Sequence, residues 1–245
     1  MNIAVIFAGG VGRRMHTNDK PKQFLEMNGK PIIIHTIEHF DDHPDIDGIV
    51  VVCIEQWIDF LLEKLEKFNI KKVLEVIPGG VSSQESTRKG LYAVRDCVDA
   101  EPKDIIVLIH DGVRPLIDAQ LISDNINAVK QYGNAITVVP AIETIIETNT
   151  AGEIKKVADR THCKLARAPQ SFYLSDILSA HERAIKDGKA EMIDSAMLMQ
   201  HYGTTLHTVE GPVENIKITN PMDYHIFRAI VMARENEQIG GIGIE

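Results

Sequence analysis

Three glycines and four cations gather between residues 9 and 22. Gly9, Gly10 and Gly12 follow Phe7-Ala8, and Arg13, Arg14, Lys20 and Lys22 lie among or just after them, with Asp19 the one acid in the interval. With His counted as neutral, Gly9 to Lys22 carries +4 − 1 = +3, while the whole chain of 245 residues carries −9. Glycines let the backbone turn sharply and aim free amide N–H groups at an anion. Arginine can grip two anionic oxygens at once, and lysine acts as a compact point charge. An acidic chain that concentrates cations on one Gly-rich loop is most simply read as binding a phosphorylated ligand there.

Two familiar phosphate loops fail the test. A dinucleotide fingerprint needs G-x-G-x-x-G, and Gly10 and Gly12 supply its first two positions while Met15 occupies the third. Methionine cannot give the close helix–strand packing of that third glycine. A Walker A loop needs G-x-x-x-x-G-K-[ST], which the chain lacks. A Gly-rich turn with solvated arginines remains the plain alternative.

The glycine loop must be carried by something, and the surrounding sequence shows what. Apolar runs at Ile3–Phe7, Gly48–Ile54, Lys72–Ile77, Asp104–His110 and Ala135–Val139 read as strands, several apolar enough to be buried on both faces. Helical patterns alternate with them at Pro31–Phe40, Gln56–Phe68, Ser83–Val98 and Asp118–Gln131, the last with Asp118 as N-cap. Such alternation implies βαβ units and a mostly parallel, Rossmann-like sheet flanked by helices. After Pro140 the pattern changes. Glu143–Thr148 and Glu153–Ala158 flank a turn at Asn149-Thr150-Ala151-Gly152, which predicts a protruding β-hairpin arm. Helices are expected at Ser175–Lys186, Asp194–His201 and Pro221–Glu235, strands near Thr204–Val209 and Glu214–Thr219, and a frayed tail from Gln238. The economical organisation is one domain over 1–245, with 141–165 as an inserted arm.

Composition narrows the function classes. The chain is 44% apolar and 25% charged, ordinary for a globular protein, and its acidic balance argues against a general nucleic-acid binder. Cys53, Cys97 and Cys163 are odd in number and form no CxxC pair, a pattern of reduced thiols rather than of disulfides or zinc. Met1-Asn2 runs straight into a strand with no basic-then-apolar leader, and no apolar run approaches a membrane span. A cytoplasmic location without membrane or nucleic-acid partners is expected.

Four further segments turn the loop into a family resemblance. Ala8-Gly9-Gly10-x-Gly12-x-Arg14-Met15 with Lys20-Pro21-Lys22-Gln23-Phe24 resembles the signature of nucleotidyltransferases that activate sugar or polyol phosphates. Pro78-Gly79-Gly80 with Ser86, His110-Asp111-x-x-Arg114-Pro115, Asp159-Arg160 with Pro169-Gln170, and Glu214-Asn215-Ile216-Lys217-Ile218-Thr219 follow in the same order and at similar spacings. The chain is similar over almost its whole length to the cytidylyltransferase family that includes the 2-C-methyl-D-erythritol 4-phosphate and ribitol-5-phosphate enzymes.

The resemblance implies attack by an acceptor phosphate on the α-phosphorus of CTP with release of pyrophosphate, a reaction served by positioning and charge neutralisation. It implies that Arg14 and Lys22 meet the triphosphate and that Lys217 approaches the same phosphorus. A solvated edge lysine is the alternative for Lys217. Gly9, Gly10 and Gly12 would bind the nucleotide, and cytosine would be read by backbone near Ala8 and Gly80 and by the Ser86 hydroxyl, although Gly80 also suits an ordinary turn and Ser86 a helix start. Asp111 would hold ribose or polyol hydroxyls or a Mg²⁺ ion carried by the triphosphate, with Arg114 fixing its rotamer. An ion pair at a strand end explains the same two residues. No dense acidic cage marks a dedicated metal site.

Thr144 and Arg160 match the residues with which the family holds the polyol phosphate from the partner subunit of a homodimer. β-propensity explains Thr144 as well, and pairing with Asp159 or Glu143 explains Arg160. Ser83 stands where family members often carry a basic residue, with Arg88 nearby. Lys30-Pro31-Ile32-Ile33-Ile34-His35-Thr36, Gln56-Trp57, Glu143 to Glu147 and Pro169-Gln170-Ser171-Phe172 lean toward D-ribitol 5-phosphate as acceptor, and Thr161-His162-Cys163-Lys164 replaces a Gly-Leu-Trp segment of the methylerythritol branch. Lys164 and Arg167 add cations near the acceptor end. 2-C-methyl-D-erythritol 4-phosphate is the alternative acceptor. A non-catalytic nucleotide-binding protein and, more remotely, a nicotinamide-dependent reductase are the readings from other classes.

Overall fold

The computed structural model describes residues 1–9, 20–189 and 192–240. β1 (Asn2–Ala8) opens the chain, followed by a small antiparallel pair, β2 (Glu26–Met27) and β3 (Lys30–Pro31). Asn28 and Gly29 turn that pair with φ of 52° and 74°, the left-handed conformations a two-residue hairpin loop demands. α1 (Ile32–Asp41), β4 (Gly48–Cys53), α2 (Ile58–Lys67), β5 (Val73–Pro78), α3 (Ser83–Cys97), β6 (Ile106–Asp111), α4 (Ala119–Tyr132) and β7 (Asn134–Pro140) then alternate. A second antiparallel pair follows, β8 (Ile146–Thr148) and β9 (Ile154–Val157). β10 (Lys164–Tyr173), α5 (Leu174–Lys186), α6 (Ser195–His201), β11 (Thr208–Glu210) and α7 (Pro221–Gly240) complete the chain.

Among the described residues, seven strands form one sheet in the order β11-β7-β10-β6-β1-β4-β5. β1 runs parallel to both β4 and β6, β4 to β5, and β7 to β11; β10 is antiparallel to its neighbours β6 and β7. The mostly parallel sheet expected from the sequence is therefore present, with one reversed strand inside it. The side-chain alternation of a strand divides the core. Ala4, Ile6, Ile49 and Val51 pack beneath α1, α2 and α4 with Ile34, Leu61 and Ile122. Ile3, Val5, Val50 and Val52 pack on the opposite face with Leu91 of α3 and Ile177 of α5. Strands buried on both faces need helices on both, which the alternating sequence supplies.

Three expectations need correction. Glu214–Thr219 is not a strand. It runs irregularly and is held by single bonds, including Ile218 N–H to the Val113 carbonyl at 2.9 Å. The last strand is confined to Thr208–Glu210 rather than beginning at Thr204. α7 continues to Gly240, past the expected break at Gln238, and the rest of the tail lies outside the described residues. β10 was not anticipated. Pro169 interrupts its pattern, and the register against β7 shifts between Ala166 and Gln170, where proline's missing N–H does no harm.

Candidate active site

β1 and β6 lie side by side and end together, with Phe7 opposite Asp111. Beyond their carboxyl ends, between the start of α3 and the irregular part of β10, opens a cavity of about 630 Å³. Open α/β sheets place ligands at this edge. Of the residues singled out from the sequence, Ala8, Gly9, Lys22, Gly80, Ser86, Asp111, Arg114 and Lys217 all line it. Gly10, Gly12 and Arg14 lie outside the described residues.

Asp111 is the electrostatic centre. Lys217 donates to its Oδ1 at 2.6 Å, and Arg114 donates through Nε to its Oδ2 at 2.8 Å. Burial works to raise this carboxyl, but the charges of Lys217 and Arg114 and their hydrogen bonds outweigh it and hold Asp111 well below the usual carboxylate range. It is an anion at any working pH. Arg114 is itself buried and also donates to the Asn215 carbonyl at 3.0 Å. Asp111, expected as a ligand contact, and Arg114, expected as its clamp, are thus joined, and Lys217 is drawn in from over a hundred residues away. The turn that sets this up requires Gly112. Its N–H donates to the Phe7 carbonyl at 2.8 Å, and a Cβ there would lie 2.8 Å from the same oxygen. Neighbouring His110 is fully buried, and desolvation lowers it to about 3, so its ring is neutral.

Lys22 reaches the cavity because Phe24 fixes the short turn that carries it. Phe24 is fully buried and stacks on Trp57 with centroids 4.9 Å apart, with Phe60 edge-on. Lys22 is buried and donates to the Ile218 carbonyl at 2.8 Å, one residue past Lys217. Gln23 donates to the Ala8 carbonyl and ties the turn to the end of β1. Two cations from opposite ends of the chain are thereby presented to one space.

α3 shapes the opposite wall. Ser82 caps it by accepting from Glu85 N–H at 3.1 Å, and Glu85 reaches back to Val81 N–H at 2.9 Å, a reciprocal cap. The Gly80 N–H donates to Ser86 Oγ at 2.9 Å, and that hydroxyl donates to the Ser82 carbonyl at 2.8 Å. Gly80 and Ser86, the groups expected to read a base, both line the cavity and are hydrogen-bonded to each other. Ser83 lines the cavity whereas Arg88 does not; Arg88 lies near enough to His181 of α5 to disfavour its protonation.

The sequence reading missed Asn215 as a support. Its side chain donates to the Ala168 carbonyl at 2.8 Å and its carbonyl accepts from Arg114, so it links β10 to the Asp111 clamp. Its signal was available, since it sits two residues before Lys217 in a segment already singled out. Of the two added cations, Arg167 lines the cavity, while Lys164 pairs with Glu210 at 3.2 Å and does not.

Among the described residues, four cations and two carboxylates line this cavity, in a chain that is strongly acidic overall. Such a space accepts a polyanion and offers charge where more develops during phosphoryl chemistry. Comparison with known proteins agrees. The family model described as IspD, 2-C-methyl-D-erythritol 4-phosphate cytidylyltransferase, matches residues 2–233. The chain belongs to this cytidylyltransferase family. It is 53% identical to a ribitol-5-phosphate cytidylyltransferase of Streptococcus agalactiae, over 99% of this chain and 100% of that one. It is 36% identical to a 2-C-methyl-D-erythritol 4-phosphate cytidylyltransferase of Syntrophus aciditrophicus, over 95% and 97%. Among solved structures it resembles the 2-C-methyl-D-erythritol 4-phosphate cytidylyltransferase of Francisella tularensis, with a TM-score of 0.75, 27% identity, and 93% and 99% of the two chains covered.

In this cytidylyltransferase, Thr144 and Arg160 are not brought to the cavity. Both are exposed at the base of the β8–β9 hairpin, where Arg160 donates to the Ile142 carbonyl at 2.9 Å. No helix among the described residues is long and apolar enough to cross a membrane.

Proposed function

We propose that the protein transfers a CMP unit from CTP to D-ribitol 5-phosphate, yielding CDP-ribitol and pyrophosphate. The observation that carries this reading is the 53% identity, end to end, to a relative named for ribitol 5-phosphate, against 36% for a relative named for the methylerythritol phosphate. In the reaction a phosphate oxygen of the acceptor bonds to the α-phosphorus, and the bond from that phosphorus to the bridging oxygen breaks. The electron pair leaves with pyrophosphate. Lys22 and Lys217, with Arg14 of the glycine loop, meet the charge on the transferring group. Asp111 and Arg114 hold Lys217 in position, so that the cation is aimed before substrate arrives. Ala8, Gly9, Gly80 and Ser86 form the wall against which the nucleotide lies, and the family resemblance assigns Gly10 and Gly12 to the same ligand. CDP-ribitol is an activated donor suited to building teichoic acid or another polysaccharide.

The donor set suits magnesium brought in on the triphosphate rather than a resident ion. Among the described residues no three His, Cys, Asp or Glu side chains cluster as a metal site. Asp111 is the carboxylate that would reach the ion, and Mg²⁺ with phosphates and waters needs no more than one or two. When bound, the ion neutralises phosphate charge.

We read the β8–β9 hairpin as the arm of a homodimer. Ile142, Ile154 and Val157 expose 74%, 63% and 59% of their surface there, an apolar display that a partner would cover. Thr144 and Arg160 would then serve the neighbouring cavity and contact the acceptor phosphate. Three unpaired cysteines suit a reducing, cytoplasmic compartment.

The test is pyrophosphate release from CTP and Mg²⁺ with a panel of polyol phosphates. Ribitol 5-phosphate is expected to give the highest kcat/KM. Release with no panel member refutes the transferase reading, and a tenfold preference for 2-C-methyl-D-erythritol 4-phosphate assigns the other acceptor.

A further inference from the structure

The sequence marks Arg167 only as an added cation near the acceptor end, and its setting in the structure is that of a ligand contact. Where the register of β10 against β7 slips, Ala166 faces Val138 and Gln170 faces Ile136, so four residues of β10 span what two residues of β7 span. Arg167, Ala168 and Pro169 therefore leave the ladder. Bulges of this kind re-aim side chains, and both Ala166 and Arg167 line the cavity. The displaced segment is pinned on either side. Asn215 holds the Ala168 carbonyl at 2.8 Å, and the Gln170 amide donates to Asp194 at 2.9 Å and accepts from Ala196 N–H at 2.9 Å.

The electrostatics of the side chain are incomplete. Arg167 Nε is buried without a hydrogen-bond partner among the described residues, and no carboxylate among them forms an ion pair with the guanidinium. Burial and the nearby Arg114 charge both disfavour the cation. Arg114, by contrast, is fully engaged by Asp111 and Asn215. An arginine half withdrawn from water, beside another arginine and paired with no acid among the described residues, is stabilised by an incoming anion.

We propose that Arg167 binds phosphate oxygens of the polyol phosphate, forming a wall of the acceptor pocket supplied by the same subunit that supplies Lys22 and Lys217. The inference rests on the transferase reading above and deepens it. The acceptor phosphate is chosen over the triphosphate because the groups assigned to the nucleotide lie on β1, its glycine loop and α3, while Arg167 enters from β10 beside Arg114. A fork of donors also suits a tetrahedral dianion better than a neutral hydroxyl.

Arg167→Gln and Arg167→Lys test this by steady-state kinetics with each substrate varied in turn. Arg167→Gln is expected to raise KM for the polyol phosphate roughly 10- to 100-fold, the loss of one charge-assisted contact, with KM for CTP within about twofold. Arg167→Lys should recover part of that loss. Inorganic phosphate should compete with the acceptor in the unaltered enzyme, and at least tenfold more weakly in Arg167→Gln. An unchanged acceptor KM in Arg167→Gln overturns the assignment, as does a rise confined to CTP. A fall in kcat alone with no gain from lysine overturns it too, since that is the mark of a structural role. Failure of the transferase reading is separate, because it shows as absence of turnover in the unaltered enzyme.

Discussion

Replacing Asp111 with Asn removes one negative charge while keeping shape, and the structure sets what should follow. Lys217 Nζ lies 2.6 Å from one carboxylate oxygen and Arg114 Nε 2.8 Å from the other. At 2.6 Å, two unit charges attract by about 1.6 kcal/mol in bulk water and about 6 kcal/mol at an effective dielectric of 20. The Lys217 side chain is 42% exposed, so screening brings its coupling to Asp111 down to about 1–2 kcal/mol. Arg114 is 9% exposed and loses the partner of a largely buried pair, which adds about 2 kcal/mol after discounting for the partly exposed carboxylate. Asp111→Asn should therefore cost about 3–4 kcal/mol in urea unfolding at pH 7. The sign of its pH dependence follows from the depressed carboxyl. The pair stabilises the fold fully above the unfolded carboxyl value of about 3.9 and loses that contribution only as pH falls below it. The gap between Asp111→Asn and the unaltered protein should then be constant from pH 5 to 8. With Lys217 no longer aimed, kcat/KM should fall about 10²- to 10³-fold, the range for a lost transition-state donor. A cycle with Lys217→Met should show the two changes to be coupled by at least about 1 kcal/mol. Additivity within about 0.5 kcal/mol, or kcat/KM within threefold of the unaltered enzyme, would refute this account of the clamp.

Phe24→Ala empties a fully buried ring site stacked on Trp57, so unfolding stability should drop about 3–5 kcal/mol and KM for CTP should rise as Lys22 loses its anchor; unchanged denaturant midpoints would contradict the packing. Gly112→Ala puts a Cβ 2.8 Å from the Phe7 carbonyl and 3.3 Å from Ile33, which should cost about 1–3 kcal/mol and disturb Asp111, read as a lower melting temperature with a larger fall in activity than in stability. His181 is buried with neither ring nitrogen partnered among the described residues, and desolvation, helped by Arg88, lowers it to about 4. Because the folded value lies below the unfolded 6.5, the unfolded chain binds the proton first, and stability declines by about 1.4 kcal/mol per pH unit between those limits. His181→Phe should therefore lose about 2 kcal/mol less than the unaltered protein on going from pH 7.5 to 5; an identical pH slope for both proteins would exclude the buried neutral ring.

The parts of this architecture that could be read in advance are those with one dominant local cause. Val50, Val51 and Val52 must be covered on both faces, which makes β4 central and implies helices above and below. Asp118 precedes an apolar helical pattern and caps α4, accepting from Leu121 N–H at 2.8 Å. Asn149 closes the arm's turn by accepting from Ala151 and Glu153 N–H, both at 3.0 Å. Local rules failed where tertiary contacts decide. Asn215-Ile216-Lys217-Ile218 alternates like a strand, but its bonds go to Val113, Arg114, Asp111, Ala168 and Lys22 rather than to one neighbouring strand. β10 was hidden for the opposite reason. Its proline and polar residues argue against a strand locally, while β6 and β7 bracket it and leave no other place for Phe172, which is fully buried in the core.

That hidden strand is also where the site departs from a simple sheet-edge pocket. A doubly wound sheet of parallel strands gathers its loops at one edge and offers a ligand one row of strand ends. β10 enters from the far side, antiparallel, and breaks step beside β7 just where Arg167 can face the cavity. The same strand follows the β8–β9 hairpin after a turn at Arg160–His162. An arm that docks on a second subunit would thus be joined by a few residues to the wall that carries Arg167. Asn215 ties that wall to Arg114, and Arg114 ties it to Asp111. Loss of the Asn215 amide should accordingly disturb acceptor binding more than CTP binding. An Asn215→Ala variant that instead raised only KM for CTP would place the tie on the nucleotide side and separate β10 from the acceptor.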